Sequence, residues 1–424
     1  MSYLEEEKWI RLDNASKLFP STFSPADTKV FRSVCELNEP VDPAILQKAL
    51  DLTLETFPLY RTVLRRGMFW YYLEYSGIKP VVTEEFQAVC APIYLGHKRN
   101  LLFRVSYYRH RINLEVFHVL SDGTGAFLFL RALVCNYLAV RQDSGSPGIP
   151  APFKKVSVSE RMDDSFERHY TGDRLHEKRD VTRPRSGVRA YRCGGTRLPE
   201  NRIALIEGAM SAKAVLEQAH IYNTTLTVFI SALLVYSIGR EMPVRRRGRP
   251  IVLSVPINLR QYFDSATVRN FFSTMNVPYD SRGGVPDLAA VIGILSEGFK
   301  DELTESRLAG KLDRFMRLSQ NPLVRIMPLP LKNLFLKIGA RHADRRISAV
   351  ISNIGRVEMP REFEDSIRQF SACVGGRYIK LTLGTYRDRL VVSFTSPFRE
   401  TNVQRRFFRL LSDMGIDIEI SSNL

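Results

Sequence analysis

Apolar residues in this chain recur at two spacings, and the sharpest change from one to the other falls between residues 111 and 140. In Arg111-Ile112-Asn113-Leu114-Glu115-Val116-Phe117 the apolar Ile112, Leu114 and Val116 alternate with polar neighbours, the period of a half-buried strand. From 124 to 140 the residues Phe127, Leu130, Leu133, Val134, Tyr137 and Leu138 follow helical spacing instead, so a helix is predicted. Between them lies His118-Val119-Leu120-Ser121-Asp122-Gly123. A histidine is thus delivered from a strand end into a turn, with a carboxylate four residues on and Gly123 and Gly125 loosening the backbone.

The same reading along the chain predicts a strand over 29–35 and a helix over 44–57. Asp42 would cap that helix, with Pro43 in its first turn. Strand pieces follow at 68–75, 101–108 and 112–117, before the helix at 124–140. From 143 to 195 the periodicity fails in a stretch rich in Pro, Gly, Ser and mixed charge, which predicts a long crossover. Pattern then resumes with a strand at 201–207, a helix from Ser211 through His220, a buried helix at 225–240 and an apolar strand at 251–256. Helices are predicted at 287–307 and 311–317, a short strand at 349–351 running into Ser352-Asn353-Ile354-Gly355, a hairpin of 379–383 with 390–394, and a closing helix at 407–414. Both halves mix sheet and helix, so the class is α/β, as two lobes: 1–175, a linker at 176–195, and 196–424.

Length supports that division, because 424 residues exceed one ordinary core. The longest apolar run, 226–238, is too short to span a bilayer. No basic, then apolar, signal pattern opens the chain. The five cysteines, Cys35, Cys90, Cys135, Cys193 and Cys373, are odd in number and scattered. They predict reduced thiols in a cytoplasmic protein. A formal net charge of +16 asks for an anionic partner: a phosphate-bearing co-substrate, an acidic carrier protein or an anionic membrane face. The run Arg245-Arg246-Arg247-Gly248-Arg249 has no interleaved aromatics, which argues against nucleic acid.

Histidine titrates nearest neutrality of all side chains, which suits His118 to general base work. The other six histidines have no comparable setting, and no second cluster of ligand spacing accompanies His118 and Asp122, so no metal is expected.

Phe117-His118-Val119-Leu120-Ser121-Asp122-Gly123 resembles the HHxxxDG motif of the CoA-dependent acyltransferase superfamily, which includes chloramphenicol acetyltransferase, condensation domains of peptide synthetases, wax ester synthases and alcohol acetyltransferases. Val255-Pro256-Ile257-Asn258-Leu259-Arg260 with Asn270-Phe271 is similar to its P-x-N-x-R … N-F segment, and Ser352-Asn353-Ile354-Gly355 to its SN-x-G turn. The opening, from Arg11-Leu12-Asp13-Asn14 through Phe69-Trp70-Tyr71-Tyr72, looks like that of bacterial alcohol acetyltransferase-like proteins. The resemblance implies two chloramphenicol acetyltransferase-like lobes with a channel between them. His118 would be the base, Asp122 a structural partner of Arg260, and Gly123 a spacer for the thioester. Two departures stand out: Phe117 replaces the first histidine, and Ile379-Lys380-Leu381-Thr382-Leu383-Gly384 stands where many members carry DFGWG.

Acyl transfer needs a base and hydrogen-bond donors for a developing oxyanion. Backbone N–H groups of the glycine turn, or Ser352 and Asn353, are the candidate donors, with Asn270 as channel support. Asp122 has two readings, helix cap or ion pair with Arg260. No G-x-S-x-G elbow occurs, so direct attack in a ternary complex is expected, without a covalent enzyme intermediate. The expected activity is acyl transfer from acyl-CoA, or from a carrier-bound thioester, to an alcohol. An amine acceptor is an alternative, as is a catalytically silent relative that binds an acyl thioester or carrier protein. A basic scaffold for nucleic acid or membrane is the third class. Acyl-CoA would be a co-substrate, with no permanently bound cofactor.

Overall fold

Two open sheets carry the chain, one of five strands and one of seven, and they meet where residue 118 leaves the first. The computed structural model describes residues 9–96, 98–142, 157–172, 189–285 and 287–424. In the five-stranded sheet the order is Ile367–Val374, Val30–Leu37, Arg111–Phe117, Phe103–Tyr108 and Thr83–Glu84. Helices Pro43–Thr56 and Gly123–Arg141 pack on each other beside it. Asp42 starts the first of these helices by accepting from the amides of Ala44 and Ile45, as Asp-Pro at a helix start predicts. The second is apolar enough for a membrane span by length and composition, yet most of it is buried inside the protein, where its side chains form the first core.

The seven-stranded sheet runs Phe272–Tyr279, Ile251–Asn258, Ala349–Val357, Lys380–Tyr386, Arg389–Ser396, Ala204–Ser211 and Glu419–Ser422. Helix Leu226–Glu241, capped by Thr225, packs against Leu288–Glu302 and Asn402–Asp413 to close a second core. The predicted hairpin is present and tighter than expected. Its strands extend to Tyr386 and Arg389, and Arg387 takes a positive φ of 52° in the turn. A small third sheet joins Trp9–Arg11, Tyr71–Tyr75 and Thr62–Arg66.

The structure departs from the sequence reading at five places. Ile367–Val374 lies in the second half of the chain but pairs antiparallel with Val30–Leu37, so a simple division into 1–175 and 196–424 does not describe the sheets. Of the expected crossover, 143–156 and 173–188 lie outside the described residues. The part between them is structured: Ser157 and Glu160 form a capping box at helix Val158–Met162, and helix Ser165–Arg168 follows. Residues 349–357 make one strand with a bulge after Asn353, rather than a three-residue strand and a turn. The helix expected over 287–307 stops at Glu302, and a second runs Glu305–Gln320. The pattern reading also left out helix Leu329–Asp344, whose start lies between Pro328 and Pro330.

Candidate active site

His118 is held by both sheets. Its amide donates to the Lys29 carbonyl at 2.9 Å, which fixes the backbone beyond strand Arg111–Phe117. The imidazole stacks on Phe19 at 4.5 Å between centroids, and touches Phe31 at 4.8 Å and Phe272 at 5.8 Å. Phe272 opens the edge strand of the seven-stranded sheet. The Asn270 amide bridges the lobes: its Nδ2 donates to the His118 carbonyl and to Ser16 Oγ, both at 2.9 Å. A carbonyl only accepts, so that contact fixes which end of the amide is nitrogen, and Oδ1 must face His118 Nδ1, 3.2 Å away. Nδ1 therefore carries the proton and donates it to Asn270. Nε2 is left with its lone pair and, among the described residues, without a hydrogen-bond partner. Burial pushes the His118 pKa down to about 4, since the aromatic cage cannot solvate an imidazolium. The ring is neutral at physiological pH.

Asp122 fills both roles considered for it. One oxygen accepts from the Gly125 amide at 2.9 Å and caps helix Gly123–Arg141. The other accepts from Arg260 Nη1 at 2.8 Å and from the Phe271 amide at 2.9 Å. Arg260 is equally committed. It donates to the carbonyls of Thr267 and Arg269 and to Asn258 Oδ1, clamping the loop between two strands of the seven-stranded sheet. This pair ties the turn of one lobe to the loop of the other.

Two glycines in the turn differ in what they allow. A side chain at Gly123 would meet nothing within 4 Å, so open space lies beside the helix N-terminus. A Cβ at Gly125 would stand 2.0 Å from the Val268 carbonyl oxygen and 2.2 Å from Ser121 Oγ. The loop of the second lobe rests directly on it. Gly125→Ala is expected to cost about 3 kcal/mol or more, because the obstructing atoms include backbone held across the lobes. Gly123→Ala should leave stability unchanged or raise it by up to about 1 kcal/mol, since alanine is the better helix former and meets no obstruction. Urea unfolding of the two variants checks the contrast.

Ser352 and Asn353 are not brought to His118 by any hydrogen bond or ring contact among the described residues. Asn353 donates to Thr227 Oγ1 at 2.9 Å and accepts from the Gly355 amide at 2.7 Å, where Gly355 has a φ of 80°. The second bond closes the bulge of strand Ala349–Val357 locally, and the first ties that bulge to the start of helix Leu226–Glu241. Phe117 is fully buried and stacks on Tyr94 at 5.2 Å, so the residue replacing the first histidine of the motif is a core side chain.

Sequence reasoning missed the N-terminal side of the site. Phe19 covers the imidazole, and Ser16 donates to Asp13 at 2.6 Å while accepting from Asn270. Asp13 lies 3.6 Å from Arg269, which also donates to the Arg11 carbonyl at 2.6 Å. The Asp13-x-x-Ser16 spacing, typical of a side chain closing a turn on the third amide, was the one available signal.

Solved structures match this arrangement over nearly its whole length. The first condensation domain of the calcium-dependent antibiotic synthetase superposes with a TM-score of 0.64 at 18% identity, over 96% of each chain. The chain has the condensation-domain fold. Trichothecene 15-O-acetyltransferase from Fusarium sporotrichioides shares it with a TM-score of 0.62 at 9% identity, covering 96% of this chain and 94% of that one. So does the starter condensation domain of rhizomide synthetase, solved as a mutant with C8-CoA and Leu-SNAC, with a TM-score of 0.60 at 14% identity over 98% and 96%. No protein-family model and no curated protein matches the sequence. The two-lobed architecture expected from the HxxxDG resemblance is therefore present. In it the histidine turn of the first lobe and the Arg260–Asn270 loop of the second face each other through the Asp122–Arg260 and His118–Asn270 contacts.

Proposed function

We propose that this protein transfers an acyl group from acyl-CoA, or from a carrier-bound acyl thioester, to an alcohol, with His118 as general base. The observation that carries the reading is a neutral imidazole whose Nδ1–H is spent on Asn270 and whose Nε2 is free, set where the two lobes of a condensation-type fold meet. Nε2 would take the hydroxyl proton as the acceptor oxygen attacks the thioester carbonyl. The CoA or carrier thiolate would leave when the tetrahedral intermediate collapses, and the proton on Nε2 is then available to it. The open space at Gly123, beside a helix N-terminus, suits a developing oxyanion better than Ser352 or Asn353, since Asn353 is already engaged. A ternary complex in which the acceptor attacks the thioester directly at one base needs no covalent enzyme intermediate.

The test is a mass-spectrometric screen of acyl-CoAs of graded chain length against alcohols and amines. Ester formation supports the proposal. Amide formation alone would move the acceptor to an amine. Thioester binding without turnover would make the protein a silent relative, the reading that the loss of the motif's first histidine at Phe117 favours.

A pH dependence follows from the lowered pKa of His118. The neutral form is the active one, so kcat/KM should stay flat from about pH 8 to about pH 5 and fall only as the pH nears 4. An acid limb near the ordinary histidine value would mean that the ring is solvated during turnover. Stability has the same sign. Between the unfolded histidine pKa of 6.5 and the native one near 4, only the unfolded chain binds the proton, so acidification through that window destabilises the fold.

A further inference from the structure

Helix Leu329–Asp344 is turned inside out. Its buried side chains are Leu329 and Lys332. The lysine is accommodated by donating to the Phe69 carbonyl at 2.9 Å and by sitting 3.3 Å over the Trp70 ring centroid. Leu331, Leu334, Phe335 and Ile338, at the i, i+3, i+4, i+7 spacing of one stripe, face solvent, with Phe335 56% and Ile338 53% exposed. Leu323 and Ile326, on the preceding helix Pro322–Ile326, are more exposed still. Met68, at the tip of the small sheet's hairpin, adjoins the stripe through its carbonyl, which accepts from the Leu329 amide, and it too is exposed. Scattered exposed apolar residues need no explanation, but a continuous stripe does.

The charges around the stripe select its partner. From residue 314 to 343 the sequence has six lysines and arginines and no acidic residue. Of these, Arg325, Lys337 and Arg341 are exposed and have no carboxylate partner among the described residues. An apolar face rimmed by unpaired cations suits the boundary of an anionic bilayer. A second copy of this chain fits poorly, since it would bring the same cations and a net charge of +16 against each other.

We propose that the face formed by residues 323–338 docks the protein on an anionic lipid surface. The stripe would enter the headgroup boundary while Lys337, Arg341 and Arg325 contact lipid phosphates and carboxylates. This docking stands independently of the acyl-transfer reading, but the two meet in space. Asn333, on the same helix, accepts from Ser21 Oγ at 2.6 Å, and the short helix Phe19–Thr22 that holds Ser21 also presents Phe19 to His118. One helical turn thus separates the docking face from the imidazole. Resting on the first reading, a lipophilic alcohol partitioned into the bilayer is the class of acceptor such a position would serve.

Sedimentation of the full chain with vesicles decides the matter. Phosphatidylcholine vesicles containing phosphatidylserine should carry the protein down, and pure phosphatidylcholine should carry far less. Phe335→Ser combined with Ile338→Ser should weaken binding at least about tenfold. Lys337→Gln and Arg341→Gln should each weaken it about fivefold, an effect that vanishes in high salt. Far-ultraviolet circular dichroism and an unchanged Tm verify that these surface variants fold. Absence of sedimentation, or equal sedimentation of parent and variants, overturns the proposal. So does a parent that is dimeric by analytical ultracentrifugation and becomes monomeric in the Phe335/Ile338 variant, which would give the face to a second copy. Docking with no acyl transfer in any screen would leave the lipid face standing and remove the catalytic reading.

Discussion

His118→Ala should lower turnover by about two to four orders of magnitude, the usual share of a general base, with little change in KM for the acyl donor. The imidazole lies among Phe19, Phe31 and Phe272, so its removal leaves a small void rather than a broken element. The variant should stay folded, although Asn270 Oδ1 loses its donor. Asn270→Ala makes the informative comparison. It leaves the imidazole in place but frees its tautomer and orientation, so kcat should fall by less and the acid limb of the pH profile should shift. A His118→Ala protein that turns over at the parent rate would remove the residue from the chemistry, and the lowered pKa would then describe only a buried aromatic cage.

The second large effect is on stability. Asp122 and Arg260 are both mostly buried, and their partners are spread over two lobes. Removing either charge leaves the other desolvated and alone, a loss of about 3–5 kcal/mol. Asp122→Asn should be the worse of the two for the helix start, because the weaker acceptor also serves the Gly125 amide. The double variant Asp122→Asn with Arg260→Met should lose clearly less than the sum of the singles in urea unfolding. Additive losses would mean that each side chain acts through its own lobe and that the contact between them contributes nothing measurable.

What could be read from the chain tracks where local pattern and tertiary burial agree. The segment 111–141 was legible because alternation, turn glycines and helical spacing follow one another without conflict. Asp42, Ser211 and Thr225 announced their helices through ordinary capping chemistry. His118, Asp122 and Arg260 came from a motif, and the structure places all three at the lobe junction. Asn270, expected only as support, is the residue that sets the histidine tautomer. Ser352 and Asn353 looked like site residues because a polar pair before a glycine reads equally well as a donor pair or as a turn, and spacing cannot separate the two. Helix Leu329–Asp344 was hidden for a different reason. Prolines at 328 and 330 obscure its start, although Leu331, Leu334, Phe335 and Ile338 carry helical spacing; what spacing does not tell is that the stripe faces away from the core.

The pairing of Ile367–Val374 with Val30–Leu37 has a consequence for how the protein is made. During synthesis the strand Val30–Leu37 emerges early, and Arg111–Phe117 can join one of its edges within the next hundred residues or so. The other edge has no partner until residue 374 has left the ribosome. Until then the nascent first lobe presents a strand carrying Val30, Phe31 and Val34 with unpaired backbone groups, an invitation to pairing with other chains. Stopping the chain anywhere before that point should yield an aggregating fragment rather than a free lobe. The histidine turn waits in turn for Arg260 and Asn270, so it can assemble only after the loop of the second lobe has emerged.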